Sequence, residues 1–200
     1  MNPVADPFSG YAPGPFHCEL TSREGPAGRQ LRERIAVIGL EALRTRARAA
    51  EGDLLNLGIT FTVYSEATAI DRILPFDCVP RIITAADWSV LESGVQQRVK
   101  TINLFLEDVY NKRHFARDGI VPAALVYTNP NYRPEMEGFP VRFGTYAHIC
   151  GIDIVRDQQG AFCVLEDNAR TPSGVSYVVE NRHLMLRNFP DLLVGMRLRP

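Results

Sequence analysis

Apolar residues recur along this chain with two periods, and the switches between them mark out its elements. From about Arg29 to Glu51, Leu31, Ile35, Ile38 and Ala42 recur at helical spacing, so one long helix is expected, with its arginines turned to water. The period then shortens to two. Ile59, Phe61 and Val63 alternate with Thr60, Thr62 and Tyr64, which predicts a strand. Pro75 and Pro80 bracket a loop, "PFDCVPRII". Thr84 followed by Asp87 marks a helix start, with the hydroxyl as cap and the acid near the positive end of the helix dipole. Gly94 ends or bends that helix, and beyond it Val95, Val99, Ile102, Leu106 and Val109 keep helical spacing. His114–Gly119 reads as a polar turn, "IVPAALVY" as a short buried strand, and 129–138 as a loop rich in Pro and Asn. Two more strands, Tyr146–Arg156 and Ala161–Glu166, are joined by "DQQG". A last helix runs from about Val175 to Arg187 and is broken by Pro190. Residues 1–27, with Pro3, Pro7, Pro13, Pro15 and Pro26, read as an irregular or disordered arm, which leaves 28–200 as the folded domain.

Composition narrows the class. At 46% apolar and 22% charged residues, the chain can bury a core. Lys and Arg number 22 against 23 Asp and Glu, so the net charge of −1 gives no reason to expect a nucleic acid or an anionic membrane as partner. Cys18, Cys78, Cys150 and Cys163 form no C-x-x-C pair and have no His at ligand spacing. They read as reduced, packed thiols, which favours a cytoplasmic location. No basic, apolar leader opens the chain, and no apolar run approaches about 18 residues, so neither an export signal nor a membrane span is expected.

The stretch "GIDIVRDQQGAFCVLEDNARTPSG" carries the chemistry. With Asp157–Gly160 as the loop, Arg156 faces Ala161 and Asp153 faces Val164. Asp153 and Glu166 then share a face as diagonal neighbours, and Asn168 continues that side; a three-residue loop would break this parity. Two carboxylates on one face repel, and a cation between them removes the cost. Oxygen donors favour Mg²⁺ or Mn²⁺ over zinc, with substrate phosphate completing the shell. Arg170 offers a fixed fork of donors to phosphate. Thr171, Ser173 and Gly174 precede a helix whose first amides suit an anion. The plain alternative is a solvated sheet face. Elsewhere, Trp88 and Leu91 read as packing, His148 as a structural strand residue, and His114 and His183 as solvated. Arg98 and Lys100 read as a charged helix face, either able to reach phosphate in a full enzyme, with Arg81 in a similar position. The "NPNYRPEMEGFP" loop shapes a substrate entrance or merely connects.

The spacing of Asp153, Glu166 and Asn168 and the run "VLEDNARTPSG" resemble the metal-binding signature of the circularly permuted ATP-grasp proteins related to glutathionylspermidine synthase. The likeness extends back through "HICGIDIVRD", "DVYNKRHFARDGIVP", "WSVLESGVQQRVKTINLFL", "PFDCVPRII" and "GITFTVY". It implies that Asp153, Glu166 and Asn168 hold Mg²⁺ between ATP phosphates. Arg170 would touch the phosphate or an acyl-phosphate, and Ser173–Gly174 would lie near the substrate end. The implied reaction activates a carboxylate with ATP and passes it to an amine. The implied fold is α/β in the broad (α+β) sense: an antiparallel sheet bearing the metal hairpin, packed on helices, in partial ATP-grasp architecture. A doubly wound sheet is not expected, because no Gly-rich phosphate loop follows a strand. Family members are usually much longer, and their adenine-binding segments and phosphate-gripping lysine follow the metal-bearing part. Lys100 and Lys112 are not assigned to ATP. The isolated chain is therefore expected to bind ATP·Mg²⁺ poorly and to be inactive without a C-terminal half or a separately encoded partner. The rival expectations are a non-catalytic interaction or regulatory module and a Mg²⁺-dependent phosphotransferase.

Overall fold

A computed structural model of the chain describes residues 7–12, 14, 17, 18, 20, 26–64, 69–73 and 75–199. Most of the expected N-terminal arm lies outside the described residues. In chain order the elements are α1 (Pro26–Ile38), α2 (Leu40–Asn56), β1 (Thr60–Tyr64), β2 (Ala69–Ile73), α3 (Ala85–Tyr110), α4 (His114–Arg117), α5 (Ala123–Tyr127), β3 (Gly151–Arg156), β4 (Phe162–Asn168), α6 (Gly174–Asn188) and α7 (Pro190–Leu193). They divide between two compact units. Met1–Ile83, Arg156–Cys163 and Ser173–Pro200 form the first; Thr84–Val155 and Val164–Pro172 form the second.

In the first unit, the single helix expected near residues 29–51 is two. Gly39 separates them at φ 82° and ψ 147°, a conformation that side chains disfavour and glycine tolerates. The break shifts the buried phase. Leu31 and Ile35 face the core as expected, but Leu43, Ala50 and Leu54 follow in place of the exposed Ala42. Phe189 and Leu192 form one cluster with Leu31, Ile35, Leu43 and Ala50, and Phe76 stacks on Phe189 with ring centroids 6.0 Å apart. Arg34 donates from Nη1 to the carbonyl of Leu192 at 2.7 Å and from Nη2 to that of Val194, tying α1 to the end of α7. Pro190 ends α6 as expected and also opens α7, where a missing N–H costs nothing. β1 forms where the alternation predicts, and it pairs antiparallel with β2, Thr60 opposite Ile73 and Tyr64 opposite Ala69. β2 went unanticipated because Asp71 and Arg72 sit side by side and blur its alternation.

In the second unit, α3 runs unbroken through Gly94. Thr84 and Asp87 close a capping box: Thr84 Oγ1 accepts from the Asp87 N–H at 3.1 Å, and Asp87 Oδ2 accepts from the Thr84 N–H at 3.2 Å. Three local expectations fail. "IVPAALVY" contains a helix, α5, because Pro122 stands at its N-cap and two alanines favour helix over strand. Within His114–Gly119, the first four residues form α4, which buries Phe115. The strand expected from Tyr146 begins only at Gly151. The N–H groups of Tyr146 and Ala147 both donate to Asn103 Oδ1, at 2.7 and 2.9 Å, so this backbone is satisfied by α3 rather than by a strand partner. His148 therefore precedes the strand and is exposed. None of the four cysteines is in a disulfide; Cys18, Cys78 and Cys150 are half-buried and Cys163 is exposed, so the last is not the packed thiol expected. No described helix is long and apolar enough to cross a membrane.

Candidate metal and phosphate site

The β3–β4 hairpin is tighter at its tip than expected. The Asp157 N–H donates to the Ala161 carbonyl at 3.0 Å, so the turn proper is the three residues Gln158–Gly160. Gly160 adopts φ 83°, and its N–H bonds back to the Asp157 carbonyl at 3.0 Å, the geometry of a tight turn closed by a left-handed glycine. A regular ladder from this turn would send Asp153 and Glu166 to opposite faces. Near the tip the contacts follow that ladder: the Arg156 guanidinium lies 4.4 Å from the Phe162 ring centre. At the base they do not. A Cβ on Gly151 would lie 3.5 Å from the Cβ of Asn168, and Asn168 Nδ2 reaches both Glu166 Oε1, at 3.1 Å, and Asp153 Oδ1, at 3.4 Å. These contacts set Gly151 and Asn168 close together at the base of the hairpin, off the register that the turn alone would give. Cys163, Val164, Leu165 and Glu166 are exposed in succession rather than alternately. The turn expected from the sequence is thus corrected, while Asn168 still reaches both acids.

The donor set fits a hard cation. As placed, the Asn168 amide nitrogen bridges the two carboxylates and offsets their repulsion. A half-turn of the same amide exchanges its nitrogen for its oxygen and presents three oxygens together. Among the described residues no cluster of three His, Cys, Asp or Glu side chains is placed to hold a metal. Two carboxylates and one amide leave about half of an octahedral shell to water and substrate, which suits Mg²⁺. Asp153 and Glu166 are exposed and Asn168 is half-buried, so a bound phosphate has access.

Arg170 is not hydrogen-bonded to these three. Its Nη1 donates to Asn131 Oδ1 at 3.0 Å. Thr171, between Arg170 and Pro172, adopts φ 51°, which is costly for a β-branched residue. Ser173 and Gly174 belong to the first unit, where Ser173 is the N-cap of α6 and makes no side-chain capping bond. Lys100 and Lys112 are exposed.

Three residues near this chemistry escaped the sequence reading. Asp167, between Glu166 and Asn168, pairs with Arg98 of α3. That hydrogen bond raises the arginine's pKa above its ordinary value, and it directs Arg98 to a carboxylate rather than to phosphate. Asn103 holds the segment before β3; its signal was a polar residue beside the apolar stripe of α3. Asn131 had no signal beyond an Asn-rich loop.

The chain is similar to known proteins over most of its length. A family model described as "A circularly permuted ATPgrasp" matches residues 80–200. An uncharacterised Synechocystis protein is 40% identical over 193 residues, covering 95% of this chain and 40% of its own length. An uncharacterised Mycobacterium tuberculosis protein is 42% identical over 157 residues, covering 78% of this chain and 28% of its own length. A Frankia alni protein named "Putative glutamate--cysteine ligase 2-3" is 40% identical over 167 residues, covering 84% of this chain and 19% of its own length. The chain thus spans two-fifths or less of these relatives. With a matched segment that takes in α3 and both strands of the acidic hairpin, the chain belongs to the circularly permuted ATP-grasp family.

Proposed function

We propose that this chain carries the metal- and phosphate-holding segment of an ATP-dependent ligase that joins a carboxylate to an amine. The observation that carries the reading is the reach of the Asn168 amide to both Asp153 and Glu166. Asp153, Glu166 and Asn168 would hold Mg²⁺, or Mn²⁺ in its place; when bound, the ion neutralises charge on the phosphates of ATP. Arg170 holds the phosphate being transferred, with donors that stay charged through the reaction. The first amides of α6, beside Ser173 and Gly174, suit an anionic substrate group. In the reaction a carboxylate oxygen attacks the terminal phosphorus of ATP and ADP leaves. The amine then attacks the acyl carbon and inorganic phosphate leaves. Binding of adenine and the lysine grip on phosphate are left to other sequence. The matched part is 19% of the Frankia protein's length, so its printed name does not fix the carboxylate or the amine here.

The test has two arms. Mn²⁺ titration followed by electron paramagnetic resonance should show Asp153→Asn and Glu166→Gln each weakening binding about tenfold or more, since each removes a charged ligand. Binding unchanged in both variants sinks the metal site. ADP release by the full natural polypeptide should require both a carboxylate and an amine. Release without amine identifies a phosphotransferase, and metal binding without any release identifies a non-catalytic module; either result overturns the ligase reading.

A further inference from the structure

Arg170 lies on an exposed segment, where an untethered arginine would sample many rotamers. Its tether is Asn131, and Asn131 is itself held. The Asn131 N–H donates to Asn129 Oδ1 at 2.9 Å, and the Tyr132 N–H donates to the Asn129 carbonyl at 2.9 Å. Tyr132 stacks on Tyr110 of α3 with ring centroids 5.3 Å apart and meets Tyr127 edge-on at 5.1 Å. Its hydroxyl donates to Glu137 Oε1, and Glu137 also pairs with Arg113. The Arg133 N–H donates to the Tyr110 hydroxyl at 3.3 Å. Aromatic packing and hydrogen bonds thus run from the long helix α3 to the atom that receives the Arg170 guanidinium.

The kind of residue at position 131 matters as much as its place. A carboxylate there would bind Arg170 more strongly, but it would cancel the arginine's charge and repel a phosphate. An amide oxygen accepts one hydrogen bond, sets the direction of the guanidinium and leaves the positive charge in place. Among the described residues Arg170 has no ion-pair partner. We infer that Asn131 is a positioning residue, which aims Arg170 at a phosphate group without neutralising it, and that the 129–137 loop is latched to α3 to hold it there. This rests on the reading of Arg170 as a phosphate ligand.

Tripolyphosphate with Mg²⁺, titrated calorimetrically into the full natural polypeptide, serves as probe, with Mn²⁺ alone and the urea midpoint as parallel measurements. Asn131→Asp should keep the fold, because the carboxylate still accepts from Arg170, yet weaken tripolyphosphate about tenfold, as expected for loss of one charge-assisted contact. Asn131→Ala should weaken it by a smaller factor, about threefold, because the charge survives and only the aim is lost. Mn²⁺ affinity should not change in either variant. Wild-type tripolyphosphate affinity in Asn131→Asp overturns the positioning role, since a merely structural residue would tolerate aspartate. Unchanged affinity in Arg170→Ala, or no binding by the wild-type chain, removes the phosphate reading itself, and the inference falls with it.

Discussion

A Cβ built on Gly151 would stand 3.0 Å from the Cβ of Pro172 and 3.5 Å from that of Asn168. Pro172 is a rigid ring, and Thr171 before it already sits at φ 51°, so the ring has little freedom to retreat. Gly151→Ala should therefore cost about 1–3 kcal/mol in urea unfolding, as overpacking does, and weaken Mn²⁺ binding by displacing Asn168. Gly94→Ala is the control. A Cβ there meets nothing within 4 Å, inside a helix, and the change should stabilise by about 0.5–1 kcal/mol. Equal effects at the two positions would show that the hairpin base is not close-packed. At this scale the donor types at 153, 166 and 168 were legible in the sequence, because carboxylates and an amide among apolar neighbours stand out. The roles of Asn103, Asp167 and Asn131 were not, because each depends on a partner between 39 and 69 positions away.

Elements show where local periodicity suffices and where it misleads. The apolar stripe of α3 and the Thr84 cap are properties of neighbouring residues, and both hold. "AALVY" is too short for period to separate helix from strand, and the preceding proline decided it. The 129–138 loop reads equally as a substrate entrance or a connector, and aromatic stacking fixes it to α3. Its hydroxyl–carboxylate contact makes that latch sensitive to pH. Burial, and then the hydrogen bond to Glu137, push the Tyr132 phenol up to about 12. The hydrogen bond from Tyr132, with help from Arg113, holds the Glu137 carboxyl below its ordinary value. A phenol whose folded pKa is raised contributes stability that is complete below its unfolded value of about 10 and is lost as pH climbs toward 12. A carboxyl whose folded pKa is lowered contributes stability that is present above its unfolded value and is lost as pH falls through the folded one. The latch should thus hold across neutral pH and loosen at both ends. Denaturation midpoints measured against pH should lose their alkaline decline in part when Tyr132 becomes Phe; an identical decline in that variant would show that Tyr132 does not carry it.

At the scale of the whole molecule, each of the two units is held together internally, and the means differ. The first closes an aliphatic and aromatic core from α1, α2 and the Phe189–Leu192 segment, residues far apart in the chain. Phe189 is fully buried and stacks on Phe76, so Phe189→Ala should cost about 3–5 kcal/mol, read as a lowered unfolding midpoint. A loss under 1 kcal/mol would mean that this core collapses around the gap and is loosely built. The second unit buries few residues completely and instead links aromatic rings, from Phe105 through Phe115, Tyr127, Tyr132 and Tyr110 to Tyr146. Such rings contribute through offset and edge contacts, and their hydroxyls bond the neighbouring loops, as Tyr132 does Glu137 and Tyr110 does Arg133.

By itself the sequence determined the helical stripes, the first strand, the existence of an acidic hairpin and the kinds of atoms that hairpin offers. These follow from spacing and side-chain chemistry, which neighbouring residues carry among themselves. Only the tertiary structure decided that one amide reaches both acids. A three-residue turn by itself would separate their faces, yet at the base of the hairpin Asn168 lies within reach of each. Alternation along a strand records which positions share a side, but it does not record how many residues the turn consumes or where the ladder slips. The same holds for Arg170: its charge is written in the chain, while its direction comes from Asn131, thirty-nine positions away and held in place by α3.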